Sequence, residues 1–234
     1  ANIRQLKAAR KFIARKQRQY DIQNREFPDM QPDPKPAEYL DNATFVNKDY
    51  ETCQFTHLQK HDLNLVLQKR YALLNWQQGS GKTAAAYHRA KYLLKFRKVR
   101  NVVILAPAIA INMTWDAFLK TNKEQYRVIR TSKDLEDVPE GIFLIVSTSM
   151  LGKLKRGLAR FIKLRNRKLC LVFDESDEIT NPNSQRTKYV LCLFRRLKYK
   201  LLDTGTTTRN NISELYSQFE LLYNNSVKSE AKRS

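Results

Sequence analysis

At 234 residues, 42% hydrophobic and 28% charged, the chain has room for one α/β domain with an appendage, or two small domains, and enough apolar side chains for a core, which excludes wholesale disorder. Lys and Arg number 43 against 23 Asp and Glu, and a net charge of +20 calls for a polyanionic partner, nucleic acid ahead of an anionic membrane. No stretch approaches ~20 uninterrupted apolar residues, so neither a membrane span nor a signal-peptide core is expected, and three scattered cysteines, Cys53, Cys170 and Cys192, suit a reducing, cytoplasmic compartment better than a disulfide framework.

The first eighteen residues hold seven basic side chains and no acidic one, and Ile3, Leu6, Ile13 and Tyr20 fall near a seven-residue spacing. That predicts a basic helical arm over 1–27 with one narrow apolar seam, either a solvated helix or an arm against phosphates. Pro28, Pro32, Pro34 and Pro36 follow. Because proline fixes φ and lacks a donor, 28–49 is expected to be a stiff linker with neither helix nor central strand. A body over 50–225 comes next, then a polar tail over 226–234. Within the body, short apolar runs at Tyr71–Trp76, Val102–Ala106, Ile142–Val146, Leu169–Phe173 and Lys200–Asp203 alternate with helical spacing at Thr83–Lys95, Ile111–Leu119 and Ser184–Leu197. Runs without polar alternation suit strands buried on both faces, and strands alternating with helices predict a parallel sheet covered by helices.

The residues Gly79-Ser80-Gly81-Lys82-Thr83 stand between an expected strand and an alanine-rich helix. In that setting, glycines let backbone N–H groups curl round a phosphate, and the helix N-terminus adds unpaired donors and a positive dipole end. Gln78, Gly79, Ser80, Gly81, Lys82 and Thr83 are therefore candidate nucleotide ligands, with Lys82 on the outer phosphates and the Thr83 hydroxyl on Mg²⁺. The full pattern wants a small residue at the head of the loop, where this chain has Trp76. A phosphate loop also needs a carboxylate from a neighbouring strand. Leu169–Phe173 runs directly into Asp174-Glu175-Ser176-Asp177; Asp174 is assigned to the metal, and Glu175 to orienting and deprotonating the attacking water.

Around these acids the text becomes specific. Asp174-Glu175-Ser176-Asp177 resembles the DEAH-type box of helicase superfamily two, and Ile179-Thr180-Asn181-Pro182-Asn183-Ser184 is similar to the tail that follows it in Swi/Snf-type ATPases. Leu202-Asp203-Thr204-Gly205-Thr206-Thr207-Thr208-Arg209-Asn210-Asn211, with Glu214-Leu215-Tyr216 beyond, resembles that family's third motif. Val102–Pro107 with Trp115 resembles motif Ia, and Ser147-Thr148-Ser149 motif Ib. The resemblance runs from about residue 55 to 223. It implies an α/β, RecA-like P-loop lobe, with a parallel sheet covered by helices on both faces, in an ATPase that uses ATP and Mg²⁺ to translocate along double-stranded DNA without separating its strands. Carried over residue by residue, it implies that Thr204, Gly205, Thr206 and Asn210 couple nucleotide state to the DNA path. Ser147, Thr148 and Ser149 would lie against the DNA backbone.

Three positions depart from the family's text. Asp177 replaces the histidine of the box, and Thr207 the proline of motif III. Leu58-Gln59-Lys60-His61-Asp62 occupies the place of an L-x-x-H-Q element, which makes His61 and Asp62 the candidates on the base side. An ionised carboxylate only accepts, so Asp62 suits the adenine amino group but not a ring nitrogen.

Between motif Ib and the acids, Lys153, Lys155, Arg156, Arg160, Lys163, Arg165, Arg167 and Lys168 have no acidic neighbour among them. Such a stripe suits sequence-independent, salt-sensitive DNA binding. Cys53, His57 and His61 recur every four residues, one helix face if a helix runs there, but structural zinc wants a fourth ligand. The chain ends at Ser234 without a second RecA-like lobe. The resemblance implies that this lobe supplies arginine fingers, so weak ATP binding and slow hydrolysis are expected of the chain alone. The short spacers between motifs suit a bacterial, viral or phage chain. The alternative is a DNA-binding or scaffolding module with a degenerate ATP site.

Overall fold

The computed structural model describes residues 9–10, 12–14, 16–17, 30–205 and 215–223. The described residues of the N-terminal arm before 18 are helical. The arm belongs to a unit, Ala1–Gln31, that is distinct from the body, Pro32–Ser234.

The body is organised by a parallel six-stranded sheet: β3 (Tyr71–Leu74), β4 (Asn101–Ala106), β5 (Tyr126–Ile129), β6 (Phe143–Ser147), β7 (Leu169–Phe173) and β8 (Tyr199–Asp203), in the order β3-β8-β7-β4-β6-β5. The four inner strands are four of the five apolar runs, and the reason is visible in where alternate residues point. Val102, Ile104 and Ala106 of β4 enter one core with Phe143, Ile145, Cys170, Val172 and Leu201. Val103 and Leu105 enter the other with Leu144, Val146, Leu171, Phe173 and Leu202. Both sides of the pleat are covered, so the strand centres show no polar alternation, and the buried polar residues Asn101, Ser147, Lys200 and Asp203 fall at or next to strand ends.

The first core is closed by α2 (His57–Gln68) and α3 (Lys82–Lys95). The second is closed by α5 (Leu151–Leu164), α6 (Gln185–Phe194) and α7 (Tyr216–Leu222). Ala84, Ala85, Ala86 and Ala90 let α3 lie close on the sheet. From α3 the buried Arg89 guanidinium donates to the carbonyls of Val66, Lys69, Arg70 and Lys200. It thereby satisfies acceptors at the end of α2 and the start of β3 that a covered chain would otherwise leave unpaired. At Gly157, in the middle of α5, an added Cβ would meet Ser132 Oγ at 2.7 Å and Leu135 Cδ1 at 3.2 Å, so this helix approaches the turn Ser132–Leu135 closely only because a side chain is missing.

Some elements run against the sequence reading. The proline-rich stretch holds a helix, α1 (Pro34–Asp41), with Asp33 as N-cap and Pro34 at its first position. Proline's missing N–H removes nothing from a helix's first turn, where the donors are unpaired in any case. A short antiparallel hairpin, β1 (Thr44–Val46) and β2 (Thr52–Gln54), follows, and all of it lies within the body unit. Cys53 sits on β2, so the expected Cys53–His57–His61 helix face does not form; its thiol donates to the Glu51 carbonyl, and no group of three metal-ligating residues occurs among the described residues. The helical spacing over Ile111–Leu119 resolves into a helical turn, a π-helical segment (Ile111–Trp115) and α4 (Asp116–Thr121). No helix among the described residues is long and apolar enough to cross a membrane.

Candidate nucleotide and DNA site

The C-terminal edge of the parallel sheet gathers the candidate residues, as open α/β sheets do. From β3 the chain loops through Trp76–Gly81 into α3. Gly79 and Gly81 take φ of 81° and 84°, a left-handed backbone open to glycine, and an added Cβ at Gly79 would meet nothing within 4 Å. The Lys82 ammonium folds onto its own loop, donating to Trp76 O at 3.1 Å and Gln77 O at 3.4 Å.

Helix α2 holds this loop at two points. Gln59, fixed in a capping box with Thr56, donates through Nε2 to Ser80 O at 2.9 Å. One turn on, Asp62 accepts the indole N–H of Trp76 at 3.1 Å, with His61 Nδ1 3.5 Å from the same carboxylate. Two of the residues that depart from the expected text, Trp76 and Asp62, are thus partners in one contact. Gln59, not singled out from the sequence, is the α2 side chain that reaches the loop tip.

The acids follow β7. The Asp174 carboxylate is buried and accepts the indole N–H of Trp115 at 2.7 Å, and the Asp174 backbone N–H donates to Leu105 O. Trp115 is wholly buried in the π-helical segment, so the carboxylate is aimed by a side chain that cannot swing away. Glu175 has φ 52° and ψ 53°, a left-handed conformation that costs a non-glycine residue ~1 kcal/mol or more and recurs at functional sites. Gln78, Gly79, Gly81, Lys82 and Thr83 of the loop line one cavity of about 570 Å³ with Asp174 and Glu175, and Lys48 and Tyr50 of the hairpin form another part of its wall. The phosphate-loop and acid-box candidates are therefore brought together.

Asp203, at the end of β8, figures in the sequence reading as the tail of a strand and within the third-motif resemblance, with no role of its own. It is fully buried, and neither carboxylate oxygen has a hydrogen-bond donor among the described residues. Burial, then the facing Asp174 carboxylate and the Glu175 charge, hold its pKa well above the usual carboxylate range against the pull of Lys82. Next along, the Thr204 hydroxyl lies 3.4 Å from Asp177 Oδ1, a direct link between the acid box and motif III made at the position where the box departs from its usual histidine. Gly205 passes close to the Lys82 ammonium, 3.5 Å from where its Cβ would be. Thr206, Thr207 and Asn210 lie outside the described residues.

Ser147 ends β6 on the same edge; its hydroxyl pairs with that of Ser149 at 2.8 Å, while Thr148 is buried. The basic run becomes α5 and the turn after it. Leu151, Leu154, Leu158, Phe161 and Ile162 are buried, and Lys153, Lys155, Arg156 and Arg160 are exposed. The run is not uniformly free, because Arg165 is held by the Val138 carbonyl and Glu140, and Lys155 lies 5.2 Å from the Tyr189 ring centroid. Below, at the N-terminal edge of the sheet, Lys98, Arg167, Lys168, Arg196 and Lys198 line a small cavity without an acid.

Residues 29–209 match the family described as the type III restriction enzyme, res subunit. The ATP-dependent helicase FUN30 of Saccharomyces cerevisiae is 27% identical over 173 residues, 70% of this chain and 15% of that protein. Among solved structures, the Sulfolobus solfataricus SWI2/SNF2 ATPase core in complex with dsDNA shares the fold with a TM-score of 0.58 at 18% identity, covering 74% of this chain and 36% of that one. The UvsW helicase from bacteriophage T4 does so with a TM-score of 0.56 at 13% identity, covering 82% and 67%. The chain thus spans a minor part of the length of the yeast and archaeal relatives. With the family match covering most of its residues, the chain belongs to the family described as the type III restriction enzyme, res subunit, and it shares the fold of the SWI2/SNF2 ATPase core.

Proposed function

We propose that this lobe binds ATP with Mg²⁺ and hydrolyses it to drive translocation on double-stranded DNA, working against a second RecA-like lobe. The observation that carries the reading is that Lys82 and Thr83 from one strand–helix junction and Asp174 and Glu175 from another line a single cavity. The residues present fit a magnesium-bound triphosphate. The glycines leave the loop open, the Lys82 ammonium rests on weak carbonyl acceptors that phosphate oxygens would outcompete, and the Asp174 carboxylate lines the same cavity, oriented by Trp115.

Loop N–H groups and the start of α3 hold the phosphates, with Lys82 moving from its carbonyls onto the outer oxygens. The Thr83 hydroxyl and the Asp174 carboxylate hold the metal, and Trp115 keeps that carboxylate from turning. When bound, Mg²⁺ neutralises charge on the transferring phosphoryl group. Glu175 orients the attacking water and takes its proton. Gln59, through its bond to Ser80 O, holds the loop that meets the nucleotide, while Asp62 is committed to Trp76. The Thr204–Asp177 contact joins the nucleotide state to motif III, and the exposed cations of α5 lie along DNA phosphates beside Ser149.

The test is titration calorimetry with a non-hydrolysable ATP analogue. Lys82→Ala is expected to abolish binding, and Asp174→Asn to abolish its dependence on magnesium. Charge reversal of Lys153, Arg156 and Arg160 is expected to flatten the salt dependence of duplex binding. Nucleotide binding indifferent to Lys82→Ala, with DNA binding intact, would leave the scaffold with a degenerate ATP site as the reading. Fast DNA-stimulated turnover by the 234 residues alone would contradict the need for a second lobe.

A further inference from the structure

Asp203 has no structural work that accounts for it. A buried carboxylate kept for the fold caps a helix, pairs with a cation or accepts backbone N–H groups. Asp203 does none of these among the described residues, where both of its oxygens are without a donor. Lys82 is near enough to favour its charge, but the ammonium is bonded to Trp76 O and Gln77 O. The side chain it faces at hydrogen-bonding range is the Asp174 carboxyl, itself an acceptor when ionised.

The juxtaposition follows from the register. Leu202 of β8 pairs with Phe173 of β7, so the residues that follow, Asp203 and Asp174, leave the sheet side by side. Asp174 and Asp203 are then two buried carboxyl groups side by side, with neither oxygen of Asp203 paired among the described residues. Such a pair suits a small multivalent cation, which two carboxylates can serve together. The acids do not form a ready-made cage of three ligands. That suits a metal which keeps much of its water and completes its coordination with phosphate oxygens, as Mg²⁺ does.

We propose that Asp203 is a second magnesium-side carboxylate, taking up water from the metal's shell beside Asp174, so that this lobe holds its metal–nucleotide complex with two strand-end acids. This rests on the nucleotide reading above and adds a positioning residue to it. Its consequence is a site strained when empty and relieved when loaded. Asp203 costs the empty protein stability and returns it only with metal and nucleotide together.

The test uses the full chain with a non-hydrolysable ATP analogue, measuring the dissociation constant in EDTA and in Mg²⁺, and thermal stability without ligand. Asp203→Asn is expected to raise the melting temperature of the empty protein. It is also expected to weaken binding in Mg²⁺ about tenfold, about 1.4 kcal/mol, with metal-free affinity unchanged. Asp203→Glu, which keeps the charge, retains part of the magnesium effect. An unchanged magnesium effect in Asp203→Asn overturns the proposal, and metal-free binding alone made tighter assigns Asp203 to Lys82 instead. A less stable empty protein with equal losses in EDTA and Mg²⁺ assigns it to the fold, which also overturns it. Lys82→Ala and Asp174→Asn run in parallel separate the two levels. If they fail to act, the nucleotide reading has failed; if they act and Asp203→Asn does not, only this inference has.

Discussion

Acid should unfasten the hairpin from the phosphate-loop helix through a single histidine. His88, on α3, has both ring nitrogens engaged: Nε2 lies 3.2 Å from Thr44 O and Nδ1 3.1 Å from the Tyr39 hydroxyl. A carbonyl only accepts, so Nε2 carries the proton of the neutral ring, and Nδ1 is left as an acceptor for Tyr39. Phe45, Phe55 and Tyr87 close round the ring. Burial holds the pKa of His88 down, from 6.5 to about 4; the nearby Lys91 adds to this, and the Thr44 carbonyl and Glu124 oppose it. The unfolded chain therefore takes up this proton near pH 6.5 and the folded one only near pH 4, so stability falls as the pH drops through that window. At ~1.4 kcal/mol per pH unit, the interval amounts to about 3 kcal/mol, a large share of an ordinary domain's stability. The assay is urea unfolding, followed by tryptophan fluorescence at about pH 7 and about pH 4, of the wild type and His88→Phe. Other groups titrate in both proteins, so the difference between the two losses is what His88 contributes. The wild type is expected to lose about 3 kcal/mol more than the variant. Equal losses would refute the account, even if His88→Phe is less stable at every pH.

Gly157→Ala should destabilise, although alanine is the better helix former by ~1 kcal/mol, because the new methyl group would press on Ser132 and Leu135 and overpacking costs ~1–3 kcal/mol. Chemical unfolding gives the sign, and a more stable Gly157→Ala would show that the turn gives way. Glu175→Gly should raise stability by up to about 1 kcal/mol, since glycine takes the left-handed backbone there without penalty, while it abolishes hydrolysis in a chain that includes the second lobe. Loss of both stability and activity would show that the Glu175 side chain also holds the turn together.

The inner strands were legible because burial on both faces leaves apolar runs without polar alternation, with Lys200 and Asp203 of β8 as the charged exceptions: β4, β6, β7 and β8 fall within a residue or so of those runs. β5 was missed. As an edge strand, with Tyr126, Arg127 and Val128 only half-buried, it carries no apolar run, and its pairing with β6 is decided by tertiary contact. α1 was hidden because four prolines were counted without asking where in a helix they would fall. In the site, the phosphate loop and the acid box could be read because their chemistry depends on contiguous residues. Trp76 with Asp62, Trp115 with Asp174 and Thr204 with Asp177 are pairings between distant segments, and one chain read in order offers the residues singly, as site candidates or as departures, without showing which of them meet. Asp203 could have been flagged by one signal, a charged residue closing a strand whose neighbours Lys200–Leu202 are buried.

The sheet order has a mechanical meaning. β8 is hydrogen-bonded to β3 on one flank and to β7 on the other, so the strand that leads into the phosphate loop and the strand that delivers the acids never touch each other directly. On the proposed reading, a displacement that a triphosphate forces on one half of the pocket can reach the other along this shared rail, whose end carries Asp203 and Thr204. A tilt of β8 by a fraction of an ångström would be felt on both flanks at once.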